Sequence, residues 1–188
     1  MAKVEVDLNQ CVYPMPVTLV GANVKGKPNF LAIAWVNRAN YKPPMIVAAL
    51  STAHYTTQGI HKTGTFSVNI PSKSMVAVTD YCGLFSGDKT DKSEIFEVFY
   101  GSLGNAPMIK QCPLSMECKL VQWVELQGNT LFIGEIVGAY ADDDCLTDGK
   151  PDVNKINPFT LTMPDGNYWL VGPHLAKAWD VGKGMGKL

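Results

Sequence analysis

Two short segments hold residue types that can bind an anion. The run Ser51-Thr52-Ala53-His54-Tyr55-Thr56-Thr57 follows an apolar stretch and opens a segment with helical character. Free amides and the dipole at a helix start attract negative charge, and hydroxyls and an imidazole add donors. His54 and Thr57, three apart, would share one helix face. By itself this run reads more plainly as N-capping by Ser51 or Thr52, with His54 on the surface. The second segment is Phe85-Ser86-Gly87-Asp88-Lys89-Thr90-Asp91-Lys92. Ser86 and Gly87 form a turn, and Lys89 or Lys92 can supply the positive charge that a phosphate monoester needs. Alone, the segment is a solvated loop of mixed charge.

A third segment has no charge to offer but has shape. In Asn29 to Trp35, alternation puts Asn29, Leu31, Ile33 and Trp35 on one face and Phe30, Ala32, Ala34 and Val36 on the other. Ala32 and Ala34 leave a flat strip of backbone on which a planar ring can lie. Taken alone, such a strip more often admits a packed helix or a neighbouring subunit.

The elements that must position these residues are short. Thr18 to Asn37 reads as a hairpin with its turn at Gly26. Met45 to Leu50 is a buried strand, and Thr65 to Ile70 alternates strictly. The spacing predicts helices over 53–62, stopped by Gly64, and over 72–84, with a weaker helical signal over 91–98. Leu114 to Leu126 and Thr130 to Tyr140 flank the turn Gln127-Gly128-Asn129. Residues 141–164 look loop-rich, Asn167 to Gly172 is a last strand, and the tail Gly182–Leu188 is loosely held. Short strands joined by hairpins with inserted helices predict a mainly β fold, a small barrel decorated by helices, in one domain over 1–188. A doubly wound parallel sheet fits less well, because strand–helix alternation is not sustained.

Composition narrows the function classes. The 188 residues carry a net charge of −1, which gives no field for nucleic acid. No apolar run is long enough for a membrane helix, and the first residues do not read as a signal peptide, so the expected compartment is the cytoplasm. Five cysteines without a C-x-x-C pair argue for free thiols rather than a disulfide framework or a metal site. Asp142-Asp143-Asp144 lacks the spacing of a calcium loop. There is no G-x-S-x-G, no P-loop and no dinucleotide fingerprint in a strand–helix context. Trp123, Trp169 and Trp179 read as core or interface residues.

The order and spacing of four stretches are together specific: PMPVTLVGANVKGKPNFLAIAWVNRANYKPPMIVAAL, STAHYTTQGIHKTGTFSVNIPS, DYCGLFSGDKTDKSEIF and YWLVGPHLAKAWDVGK. In these the chain resembles the flavin reductase-like, FMN-binding split-barrel family, and within it the flavoredoxin and ferric reductase group. The resemblance covers nearly the whole chain and implies a split β-barrel that binds FMN. It implies contacts from Asn29, Ala32, Ala34 and Trp35 along the isoalloxazine and ribityl chain. Ser51, His54 and Thr57 would sit at the phosphate, and Ser86, Gly87 and Lys92 would close over the cofactor. Family members often carry threonine where this chain has Ala32, so a hydrogen bond near the flavin ring is missing here. The resemblance further implies a homodimer with flavin sites near the subunit interface, which would account for a strand apolar on both faces.

The expected function is then that of a flavin-dependent oxidoreductase, passing electrons from NAD(P)H to flavin or another acceptor. The alternative is an electron carrier between donor and acceptor proteins, with no NAD(P)H site of its own. A flavin-free binding module of the same fold is a third reading, opposed by the residues at the phosphate positions. No acid–base residue is expected, because hydride transfer to a flavin needs none from the protein.

Overall fold

The computed structural model describes residues 1–185; 186–188, the end of the tail, lie outside it. After β1 (Met15–Pro16), β2 (Thr18–Val24) and β3 (Lys27–Ile33) form the first hairpin. Lys25 and Gly26 both have positive φ (51° and 82°), as a tight two-residue turn between twisted strands requires. The chain then breaks at Ala34 and Trp35, so the strand expected to reach Trp35 stops at Ile33. It resumes as β4 (Val36–Asn40) and returns through β5 (Met45–Ser51).

Helix α1 (Tyr55–Thr63) ends at Gly64, which adopts the left-handed conformation (φ 67°). It starts later than the sequence predicts, with His54 rather than Ser51 or Thr52 as N-cap. Next come β6 (Thr65–Ile70), a 3-10 turn (Lys73–Met75) and α2 (Val76–Leu84). The helix expected over 91–98 is absent. Lys92 is drawn inside instead, and only the short β7 (Val98–Phe99), paired with β8 (Met108–Ile109), follows. A long hairpin joins β9 (Leu114–Glu125) to β10 (Asn129–Ala141). The stretch expected to be loop-rich carries β11 (Leu146–Thr147), β12 (Lys150–Pro151), α3 (Val153–Ile156) and β13 (Phe159–Thr162). Finally, β14 (Asn167–Leu170) pairs with β13, and the tail is described through an exposed 3-10 turn ending at Met185.

Seven strands form one antiparallel sheet in the order β3-β2-β6-β9-β10-β5-β4. Its concave face encloses Val20, Leu31, Leu50, Phe66, Val68 and Phe132, the main core. A second core lies on the outer face, where Leu19 and Phe30 meet Met75 and Cys82 of the α2 region. This corrects the dimer argument drawn from β3. Its outer face is apolar because α2 of the same chain covers it. Trp123 and Trp169 are not core residues, at 49% and 55% exposure.

One buried carboxylate ties a loop to the sheet. Glu117 of β9 is fully buried. It accepts hydrogen bonds from the Ser102 amide (2.8 Å), the Leu103 amide (2.9 Å), and the hydroxyls of Ser102 and Tyr140 (2.9 Å each). Burial alone would raise its pKa, but the four donors win and hold it below the ordinary value.

Candidate functional site

The site lies where β3, the start of α1 and the loop after α2 converge. Gly59 makes this packing close: a Cβ there would lie 2.7 Å from the carbonyl oxygen of Asn23, so only glycine lets α1 rest directly on β2. That seats the N-terminus of α1 beside Asn29, whose Nδ2 donates to Thr56 Oγ1 at 2.8 Å. The Thr57 hydroxyl donates back to the Ser51 carbonyl at 3.0 Å and holds the strand–helix junction. No side chain caps the helix, and its first turn carries no acidic residue. Its positive end is therefore open to an anion.

Two cavities meet at His54. One, of about 240 Å³, is walled by Ala32, Ala34, Trp35, Ser51 and His54, with Met163 opposite. It is mainly apolar, and Trp35 is half exposed at its rim. The other, of about 120 Å³, is walled by Asn29, His54, Thr56, Ser86, Gly87 and Lys92. Nine of the ten residues singled out from the sequence therefore line one groove. Thr57, the tenth, is buried behind it and acts through the Ser51 carbonyl. The sequence reading missed Thr56 and Met163. Thr56 lies inside the serine- and threonine-rich run already noted, whereas nothing local marked Met163.

His54 has a buried Nδ1 with no hydrogen-bond partner among the described residues. Burial, and then the nearby Lys92 ammonium, hold its pKa below the ordinary histidine value. Lys92 is 2% exposed, and its ammonium donates to the carbonyls of Phe85 (2.7 Å) and Cys82 (3.1 Å) at the end of α2. Burial pushes its pKa down as well. The groove thus has a flat apolar end and a cationic end with an uncapped helix, an unpartnered imidazole and a buried ammonium. That arrangement suits a planar molecule with an anionic tail.

Away from the groove, Asp142, Asp144 and Cys145 bring one ligand atom each within 4.8 Å of one another, with both aspartates exposed. The five cysteines are all free. No helix among the described residues is long and apolar enough to cross a membrane.

Comparison with known proteins places the chain in a family. The chain is similar to a flavoredoxin from Methanosarcina acetivorans, at 51% identity and TM-score 0.97, over 98% of this chain and 100% of that one. It is also similar to the flavoredoxin of Desulfovibrio vulgaris (Miyazaki F), at 36% identity and TM-score 0.90, over 97% and 100%. An FMN-binding protein from Thermus thermophilus shares the fold, with TM-score 0.80 at 20% identity over 94% and 97%. An uncharacterized protein of Archaeoglobus fulgidus is 31% identical over 79% of this chain and 84% of its own length. The model of the flavin reductase like domain matches residues 10–163. The chain belongs to the flavin reductase-like domain family and has its split-barrel fold.

Proposed function

We propose that this chain binds FMN in the groove and works as a flavin-dependent redox protein. The observation that carries this reading is the joint at His54. There an apolar cavity and a cationic one share an unpartnered buried imidazole nitrogen, in the place where a ribityl phosphate would begin. Ala34 and Trp35 would face the ring, Asn29 the ribityl chain, and the α1 amides, His54 and Ser86 the phosphate. Lys92 would supply positive charge from behind the loop, and Gly87 would leave room. The flavin, when bound, supplies the electron chemistry, and the protein supplies position and electrostatics.

The likeness to two flavoredoxins favours electron carriage between protein partners. The second reading, an oxidoreductase fed by NAD(P)H, draws support from the family itself. FMN titration followed by flavin fluorescence tests the main claim, with saturation at one per chain expected. Absence of binding would overturn it. Stopped-flow mixing of the loaded protein with NADH and with NADPH then separates the two roles, since fast bleaching belongs to the reductase alone.

A homodimer in a reducing, cytoplasmic compartment is part of the same proposal. Exposed Trp35, Trp123 and Trp169 support the dimer, and five free cysteines support the compartment. Light scattering at micromolar concentration reads the mass directly.

A further inference from the structure

The outer face of β5 is apolar where a solvent-facing strand would be polar. Alternation sends Ile46, Ala48 and Leu50 into the main core and turns Met45, Val47 and Ala49 outward. Leu131 of β10 stands opposite Ala49, and Asn37 of β4 opposite Val47, so these four side chains share one outward face. The segment from Gln10 to Pro16 passes over this face and leaves a cavity of about 450 Å³. Met15 fixes that segment, being 6% exposed and paired with Leu161 of β13.

We infer that this cavity binds an uncharged quinone, which takes the electrons of the reduced flavin. The inference rests on the flavin reading above and deepens it by naming a class of acceptor. The volume lies within the range of small-molecule sites. Ala34, Trp35 and Ala49 line both this cavity and the apolar end of the groove, so a ligand here lies one wall away from the ring. No charged side chain lines it, so it has nothing to hold the diphosphate of a nicotinamide dinucleotide. One amide is placed to orient a carbonyl. Asn37 Oδ1 accepts from the Arg38 amide at 2.7 Å, and its Nδ2 has no acceptor among the described residues. The corresponding group of Gln10 is already engaged, donating to the Asp7 carbonyl at 2.9 Å. An apolar slot with one free N–H donor suits a flat ring that carries a carbonyl oxygen.

The step balances without a further reactant. The reduced flavin gives up two electrons and two protons and returns to its oxidised form. The quinone takes two electrons across the shared wall and two protons from water at the mouth of the cavity, beside exposed Val12, and leaves as the hydroquinone.

The test is anaerobic stopped-flow reoxidation of the reduced, FMN-loaded protein by duroquinone, whose ring carbons are all substituted against attack by the Cys11 thiol. Ferricyanide, a charged acceptor, serves as control. The rate with duroquinone should level off as its concentration rises, the mark of a binding site. Val47→Trp fills the cavity. Asn37→Asp keeps the acceptor for the Arg38 amide and removes the free donor. Each should weaken duroquinone by about tenfold while leaving FMN affinity and the ferricyanide rate within about twofold. A rate that climbs without levelling, or a duroquinone affinity indifferent to both variants, would overturn the inference and leave the FMN reading intact. So would a Val47→Trp protein whose mass by light scattering falls while duroquinone reoxidation is unchanged, which would assign the face to a second copy of the chain. Equilibrium dialysis of duroquinone against the flavin-free protein reads the cavity separately, so failure of FMN to bind is not mistaken for failure of this site.

Discussion

A Cβ at position 87 would lie 2.0 Å from Oδ1 of Asn29 and 2.9 Å from the Tyr55 ring. The loop after α2 therefore touches β3 and α1 at once only because residue 87 is glycine. Gly87→Ala must push the loop outward, since Asn29 is buried and held by Thr56. The expected outcome is an FMN affinity lower by about tenfold, or about 1.4 kcal/mol, with little change in melting temperature. Fluorescence titration beside thermal melting reads both quantities.

His54 gives the flavin-free protein a dependence on pH. Its folded-state pKa is depressed, so between that value and the unfolded value near 6.5 the unfolded chain binds more protons. Stability is then highest above about pH 7 and falls as pH drops through this window. His54→Gln should flatten that slope in melting curves of the flavin-free protein. Bound FMN should flatten it too, because a phosphate beside the imidazole favours its charged form.

Lys92 has two duties that a conservative substitution separates. Lys92→Met keeps most of the volume but leaves the Cys82 and Phe85 carbonyls without their donor. Stability should fall by about 1–3 kcal/mol. If the ammonium also acts on the phosphate, FMN affinity drops by about tenfold to hundredfold, while riboflavin, which has no phosphate, is much less affected. Equal losses for both ligands would mean that Lys92 only shapes the loop.

Glu117 should set an acid limit. Its folded pKa is depressed, so its contribution is present above the unfolded value near 4.3 and is lost as pH falls through the folded value. Glu117→Gln turns one carboxylate oxygen into an NH2, so at least one of the donors now on the carboxylate, the Leu103 amide on one oxygen or the Ser102 and Tyr140 groups on the other, faces a donor. A loss of about 1–3 kcal/mol is expected at neutral pH, with a smaller further loss in acid than the parent shows. Urea melts at several pH values measure it.

The sequence was most legible where one segment decides its own shape. Lys25-Gly26, Gly64 and Gln127-Gly128-Asn129 each mark a turn or stop with local chemistry, and the element ends next to them fall close to where expected, although β3 stops at Ile33 and α1 begins only at Tyr55. It was least legible where partners come from far along the chain. The 91–98 stretch has helical composition, yet Lys92 gains more by entering the core and donating to carbonyls of α2. Glu117 gives no local sign of its role, because its donors sit 14 to 23 residues away. The apolar outer face of β3 admitted a helix or a second subunit, and only the packing of α2 decides between them. For the groove, residue types were enough to nominate its walls, but not to place Thr57 behind them.

The Lys92 latch also bears on kinetics. The loop between α2 and Lys92 is drawn to its final form by a cation of the chain itself. An arriving ligand need not wait for that loop to fold over it. Association should be a single exponential whose rate climbs in proportion to flavin concentration without levelling off, the behaviour of a rigid receptor limited by encounter.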